Sequence, residues 1–314
     1  MVHVPVLEEA AVDALDVRDD GIYVDATFGR GGHSRRILQR LGPGGRLIAV
    51  DRDPAAIEHG RERHAGDSRM TLVRANFAEL GEVCRSEGVH GRVDGLLMDL
   101  GVSSPQLDDA GRGFSFRHDG PLDMRMDPDS GPSAAEWLAE VDESELVRVL
   151  REYGEERFAR RIAAAVVAAR AEAPIDTTSR LAEIVRDAVP AGAAARDRLD
   201  PATRTFQAVR IAVNDELGAL DAALEEAIDV LDDGGRMVVI SFHSLEDRRV
   251  KLAIRAASEA PPASRRAPVA PDFHPRLRRI GGLVRPDEEE CRANPRARSA
   301  RMRVAERTSR EERP

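Results

Sequence analysis

No run of about 18 consecutive apolar residues occurs in these 314 residues, so the sequence offers no membrane-spanning helix. The opening Met1-Val-His-Val-Pro5 has no basic segment ahead of an apolar stretch, and an export signal is not expected. Cysteine is scarce: Cys84 and Cys291 are too few for a disulfide framework and lack metal-ligand spacing, which fits reduced thiols in a cytoplasm. Lysine is almost missing. Of 47 basic residues all but Lys251 are arginine, whose fork matches phosphate oxygens, although a GC-rich coding sequence gives the same bias. Positive charge is short overall, with a net charge of −9, but it is unevenly placed. From His243 onward 18 basic residues face 11 acidic ones, and Arg157, Arg160 and Arg161 share one expected helix. What is present is long enough to bury a substantial core and slightly long for one domain.

The most informative stretch is Asp25-Ala-Thr-Phe-Gly-Arg-Gly-Gly-His33, set between the apolar Gly21-Ile-Tyr-Val24 and a helical pattern from Ser34 to Leu41. Strand, glycine-rich turn and helix in that order let a nucleotide-like ligand approach bare backbone. A second strand, Arg46-Leu-Ile-Ala-Val50, leads to Asp51, placed where an acid can bond ribose hydroxyls. A pyrophosphate binder needs a third glycine, and Ser34 stands at that place. Asp25 would also repel a pyrophosphate, whereas it suits an ammonium or sulfonium group. S-adenosylmethionine carries both groups and a ribose for Asp51, so the pattern favours it over a nicotinamide dinucleotide.

The first hundred residues alternate strand and helix. Strands are expected at Ile22–Asp25, Leu47–Asp51, Thr71–Arg74 and Gly95–Asp99, and helices at His33–Leu41, Pro54–His64 and Phe77–Glu87. Near-continuous apolar strands between amphipathic helices mean a parallel sheet covered on both faces, which binds ligands at the carboxyl ends of its strands. About a hundred residues then pass before the next core strand, Arg236–Ser241, far more than a crossover normally takes. The expectation is an α/β fold with an inserted, mostly helical subdomain over 108–201 and a discontinuous sheet domain made of 1–107 and 202–314. Arg204–Leu231 reads as one or two helices returning to the sheet, and Leu277–Val284 and Ala300–Ala305 read as further strands. Pro261–Pro275, rich in Pro and Arg, reads as loop.

Further stretches are unusually specific: Asp99-Leu-Gly-Val-Ser-Ser-Pro-Gln-Leu-Asp108, Gly111-Arg-Gly-Phe-Ser-Phe116, Asp119 to Asp127, Pro201 to Asn214, Ser241-Phe-His-Ser-Leu-Glu-Asp-Arg248 and Asn294-Pro-Arg-Ala-Arg-Ser299. Through them the chain resembles the ribosomal RNA small subunit methyltransferase H family, from His3 to about Arg307. The resemblance implies a class I, Rossmann-like methyltransferase sheet and S-adenosylmethionine as cofactor. It further implies methylation of N4 of cytidine 1402 in 16S rRNA, with an assembled small ribosomal subunit as partner and no membrane. A homodimer is among the assemblies the sequence leaves open.

Carried onto matching positions, the resemblance puts Gly31, Gly32 and His33 around the methionine and ribose. It puts Asp51 on the ribose hydroxyls, Phe77 against the adenine, and Asp99 and Gln106 in the rest of the pocket. Many amino-methyltransferases carry Asp/Asn-Pro-Pro-aromatic after the fourth strand, a motif absent at Asp99–Pro105. Asp99, Ser103, Ser104 and His243 are therefore the candidates beside the reacting amine, His243 because an imidazole can accept a proton near neutral pH. Phe114 and Phe116 are candidate base stackers, with a hydrophobic plug as the alternative reading.

Overall fold

In the computed structural model, described over residues 5–194, 199–260 and 273–309, the chain forms two units. One comprises 1–101 and 217–314, the other Val102–Glu216. The loop expected at Pro261–Pro275 lies outside the described residues up to 272.

The first unit is built on seven strands: β1 (Ile22–Asp25), β2 (Arg46–Asp51), β3 (Met70–Arg74), β4 (Val93–Asp99), β5 (Leu231–Ser241), β6 (Leu277–Val284) and β7 (Arg301–Arg307). Their order is β3-β2-β1-β4-β5-β7-β6. β1 to β5 run parallel, and β7 is antiparallel to both β5 and β6. Side chains alternate across a strand, and here both faces are buried. Tyr23 and Leu97 join the core containing Leu15, Ile37 and Val238, while Val24, Leu96 and Met98 join the opposite one with Leu80, Leu224 and Val239. The near-continuous apolar runs follow from that double cover. β5 pairs with β4 first at Leu231 and again from Arg236, so Asp232–Gly235 bulges out of the ladder. Buried Cys84 has its thiol pushed up to about 12 by burial and packs as a small apolar group.

The second unit holds helices Ala134–Glu140, Glu143–Glu152, Ala159–Glu172, Thr178–Ala188 and Ala202–Asn214. Their core includes Leu138, Leu150, Ile162, Leu181, Phe206 and Val209. The expected insertion of 108–201 is thus longer in the structure, by six residues at its start and fifteen at its end. The later shift has a physical cause: Phe206, Ala208 and Val209 bury against this helical core, so Ala202–Asn214 belongs to it. Asp215, at φ 46°, breaks that helix from the next, Glu216–Val230. Among the described residues no helix is long and apolar enough to cross a membrane.

Candidate active site

In the first unit the parallel strands bring their carboxyl ends to one edge, and three of them end on aspartate: Asp25, Asp51 and Asp99. Asp25 is almost fully buried; Ser34 Oγ donates to its Oδ2 at 2.7 Å and the Thr27 N–H to its Oδ1 at 3.2 Å. Burial pushes its pKa up to about 6 against the pull of those bonds. Ser34, at the place of a dinucleotide site's third glycine, is therefore the donor that holds the β1 acid.

Asp51 is clamped from both sides, its Oδ2 accepting from the Gly29 N–H at 2.7 Å and its Oδ1 from the Asp53 N–H at 2.9 Å. Burial, reinforced by the charges of Asp53 and Asp25, lifts it to about 6 as well. Asp99 is raised well above its ordinary value, by burial and then by the charges of Asp25 and Glu246. Its backbone N–H donates to Thr27 Oγ1 at 2.6 Å. Its Oδ2 lies 3.7 Å from His33 Nδ1, and its covered Oδ1 has no hydrogen-bond partner among the described residues.

Between β1 and the helix Gly32–Arg40 the loop turns through Gly31, at φ 71°, where a Cβ would stand 2.6 Å from the Phe28 ring. His33 is buried, its Nε2 3.2 Å from the Val6 carbonyl. Phe77 opens a short 3-10 turn after β3, capped by Asn76, with its ring half-buried against the core. After β5, His243 caps the helix Ser244–Ser258, and its Nε2 lies 3.1 Å from Glu246 Oε1. Glu246 Oε2 accepts from the backbone N–H groups of Phe242 and His243 at 2.7 and 3.2 Å.

The structure thus brings Gly31, Gly32, His33, Asp51 and Asp99 into one loop cluster of the first unit, with His243 on the end of the strand beside Asp99's. Ser103 and Gln106 belong to the second unit, where the Ser103 N–H donates to Gln106 Oε1 at 2.9 Å and Gln106 is buried as part of a helix cap. Phe114 is buried in the helical core and Phe116 packs edge-on against Phe206 at 4.8 Å with Arg186 over its ring, so the plug reading describes both. Sequence reasoning passed over Thr27 and Glu246. Glu246 carries a signal, an acid three residues after the residue that caps the helix.

Three acids, Asp25 buried and Asp51 and Asp99 half-buried, all raised from the ordinary carboxylate value, form a set short of positive charge, and Asp99 Oδ1 is an acceptor awaiting a donor. A ligand bearing ammonium and sulfonium groups fits that deficit, and the glycine turn leaves backbone open beside it. Parallel strands 1 to 5, the antiparallel seventh inserted between the fifth and sixth, and this acid-lined loop define a class I methyltransferase, the class that takes its methyl group from S-adenosylmethionine.

Comparison with known proteins agrees. The model of the MraW methylase family matches residues 1–308, and the chain belongs to that family. It is 53% identical over 304 residues to the ribosomal RNA small subunit methyltransferase H of Xanthomonas euvesicatoria pv. vesicatoria (strain 85-10), covering 97% of this chain and 88% of that one. The protein of the same name from Xanthomonas campestris pv. campestris (strain B100) is 52% identical over 311 residues, 99% of this chain and 89% of its own. Among solved structures an rRNA methylase from Streptococcus thermophilus aligns over 98% of this chain and 99% of that one, at TM-score 0.43 and 12% identity.

Proposed function

We propose that this protein methylates N4 of one cytidine, position 1402 of 16S rRNA, in the decoding region of the small ribosomal subunit. The observation that carries the reading is the 53% identity, across 97% of the chain, to a small-subunit rRNA methyltransferase. The cytidine itself follows from the motif resemblance. An enzyme with this substrate works in the cytoplasm, and a homodimer is not required by the reading.

S-adenosylmethionine, when bound, supplies an electrophilic methyl group. Gly31, Gly32 and His33 would hold its methionine and ribose part, Asp51 the ribose hydroxyls, and Phe77 the adenine, with Asp99 beside them; Gln106 is the cofactor candidate that the second unit carries. Cytosine N4 is a poor nucleophile because its lone pair is delocalised into the ring. Acceptors on its N–H groups stabilise the charge that develops on nitrogen. Asp99 Oδ1 is such an acceptor, and Ser103 is the second candidate. His243, with Glu246 Oε1 3.1 Å behind its ring, is the group to receive the proton. The helical unit carries the exposed Arg157, Arg160 and Arg161 for phosphate contacts.

The test incubates small subunits from a strain lacking this protein with pure enzyme and S-adenosylmethionine, then reads the digested RNA by mass spectrometry. N4-methylcytidine is expected. Cofactor binding without any new methylated nucleoside would replace this reading with that of a cofactor-binding assembly factor.

A further inference from the structure

The segment Pro5–Glu8 runs along the start of the cofactor-loop helix and touches it in step. A Cβ on Gly32 would fall 2.0 Å from Pro5 Cγ, so Pro5 sits directly on that glycine. The Val6 carbonyl faces His33 Nε2 at 3.2 Å, and Glu8 pairs with Arg35 at 3.1 Å. Within this strap Leu7 is held at φ 54°, ψ 32°, a left-handed conformation unfavourable for a residue with a Cβ. Its side chain and that of Val6 are buried, and its N–H donates to Glu290 Oε1 at 2.7 Å. Glu290 arrives from 283 residues further along the chain, in the short helix Glu288–Ala293, whose cap Asp287 accepts from the Glu290 N–H at 2.8 Å.

We propose that Glu290 is a positioning residue for the methyl-transfer site, acting through the strap on His33. A carbonyl can only accept, so Val6 places the ring hydrogen on Nε2 and leaves Nδ1 as the acceptor. Nδ1 is the atom 3.7 Å from Asp99 Oδ2. The Glu290 bond keeps Leu7 in its left-handed turn, the turn aims the Val6 carbonyl, and the carbonyl sets the tautomer and orientation that Asp99 meets. With Glu290 removed, Leu7 relaxes and the Val6 carbonyl is no longer aimed at His33 Nε2. The proposal rests on the reading of this loop as the S-adenosylmethionine site.

Glu290→Ala and Glu290→Gln test it with two readouts, neither of them turnover. Long-range proton–nitrogen spectra of histidine-labelled protein report the His33 tautomer, assigned by comparison with His33→Asn. Calorimetry reports affinity for S-adenosylhomocysteine. The alanine variant is expected to lose the single Nε2–H form and to bind about tenfold more weakly, within the usual range for coupled sites. The glutamine variant restores both, because its amide oxygen accepts the same N–H. Glu290→Asp keeps the charge but shortens the reach, and it reproduces the loss if the alanine variant does not fold. A His33 tautomer and affinity unchanged in the alanine or aspartate variant, or a folded glutamine variant as weak as alanine, would overturn the proposal. Wild-type protein that fails to bind S-adenosylhomocysteine would instead sink the cofactor reading, while the imidazole spectra still decide the relay.

Discussion

Asp25 and Asp51 sit where carboxylates are least comfortable, and the sign of that discomfort is testable. Each keeps its proton to about pH 6 in the folded chain, against an ordinary value of 3.8. A raised folded-state pKa gives stability that is complete below the unfolded value and lost as pH rises through the folded one. Two units correspond to about 3 kcal/mol per group, so the ligand-free protein should resist urea better at pH 5 than at pH 7. The ion-paired acids Asp123, Asp229 and Asp247 are lowered, so their contribution fails only below the ordinary carboxylate range and does not mask this window. Burial holds His59 and His64 below the ordinary imidazole value, which works in the opposite direction in this window. The comparison is therefore made in a His59→Gln, His64→Gln background, where stability flat or rising between pH 5 and 7 would refute the account. Ligand binding runs the other way: a cation needs the ionised acids, so S-adenosylmethionine affinity should fall as pH drops through 6. Calorimetry in buffers of different ionisation enthalpy should show protons released on binding. Asp51→Ala removes both a ribose acceptor and the clamp on Gly29, and should weaken binding by about 1.5–3 kcal/mol for each charged hydrogen bond lost. Unchanged affinity by calorimetry would take Asp51 out of the site.

At the scale of elements, β1 and β6 begin and end where the sequence puts them, β2, β3 and β4 start one or two residues earlier, β7 is shifted at both ends, and β5 starts five residues earlier, at Leu231. A doubly buried parallel strand announces itself as an unbroken apolar run. The glycine loop, Asp51 and Asp99 were legible for a similar reason: backbone geometry and strand ends leave marks in residue type. The helix Ala202–Asn214, expected with the sheet domain, packs in the helical core; its apolar face looks the same in sequence whichever core covers it. The helix Glu8–Leu15 was missed outright; it is short and starts from a leucine with no side-chain cap. The Glu290–Leu7 contact could not be foreseen, since nothing local ties residues 283 apart. Asn214 shows how one side chain can join elements: it accepts from the Met126 N–H at 2.7 Å and donates to the Met124 and Arg210 carbonyls at 2.7 and 2.9 Å. Asn214→Ala strands buried backbone groups in the loop around Met124, itself at φ 60°, and should cost about 2–4 kcal/mol. Trp137, the only tryptophan, packs on the core of the same unit, so its fluorescence in a urea titration reports that loss directly. A wild-type midpoint would mean that the loop holds itself.

At the scale of the whole molecule, a chain of net charge −9 must approach a polyanion through a local patch. Arg157, Arg160 and Arg161 are exposed, and no salt bridge joins them to a carboxylate among the described residues, unlike Arg148, which is forked by Glu145 and Glu152. Arg157 also lies over the Phe158 ring at 5.7 Å. Three unpaired guanidinium groups near the start of one helix are the best placed phosphate contacts in the described chain. If they meet RNA, replacing all three by Gln should raise KM for small subunits and leave S-adenosylhomocysteine affinity and kcat unaltered. Each phosphate contact to a single strand contributes about 0.7 to the slope of log affinity against log salt, so the slope should shallow by about 2. KM measured from low to moderate salt for both proteins gives that slope. Equal slopes in the two proteins would place the RNA path elsewhere, with the arginine-rich C-terminal segment, Arg296 and Arg298 foremost, as the next surface to change.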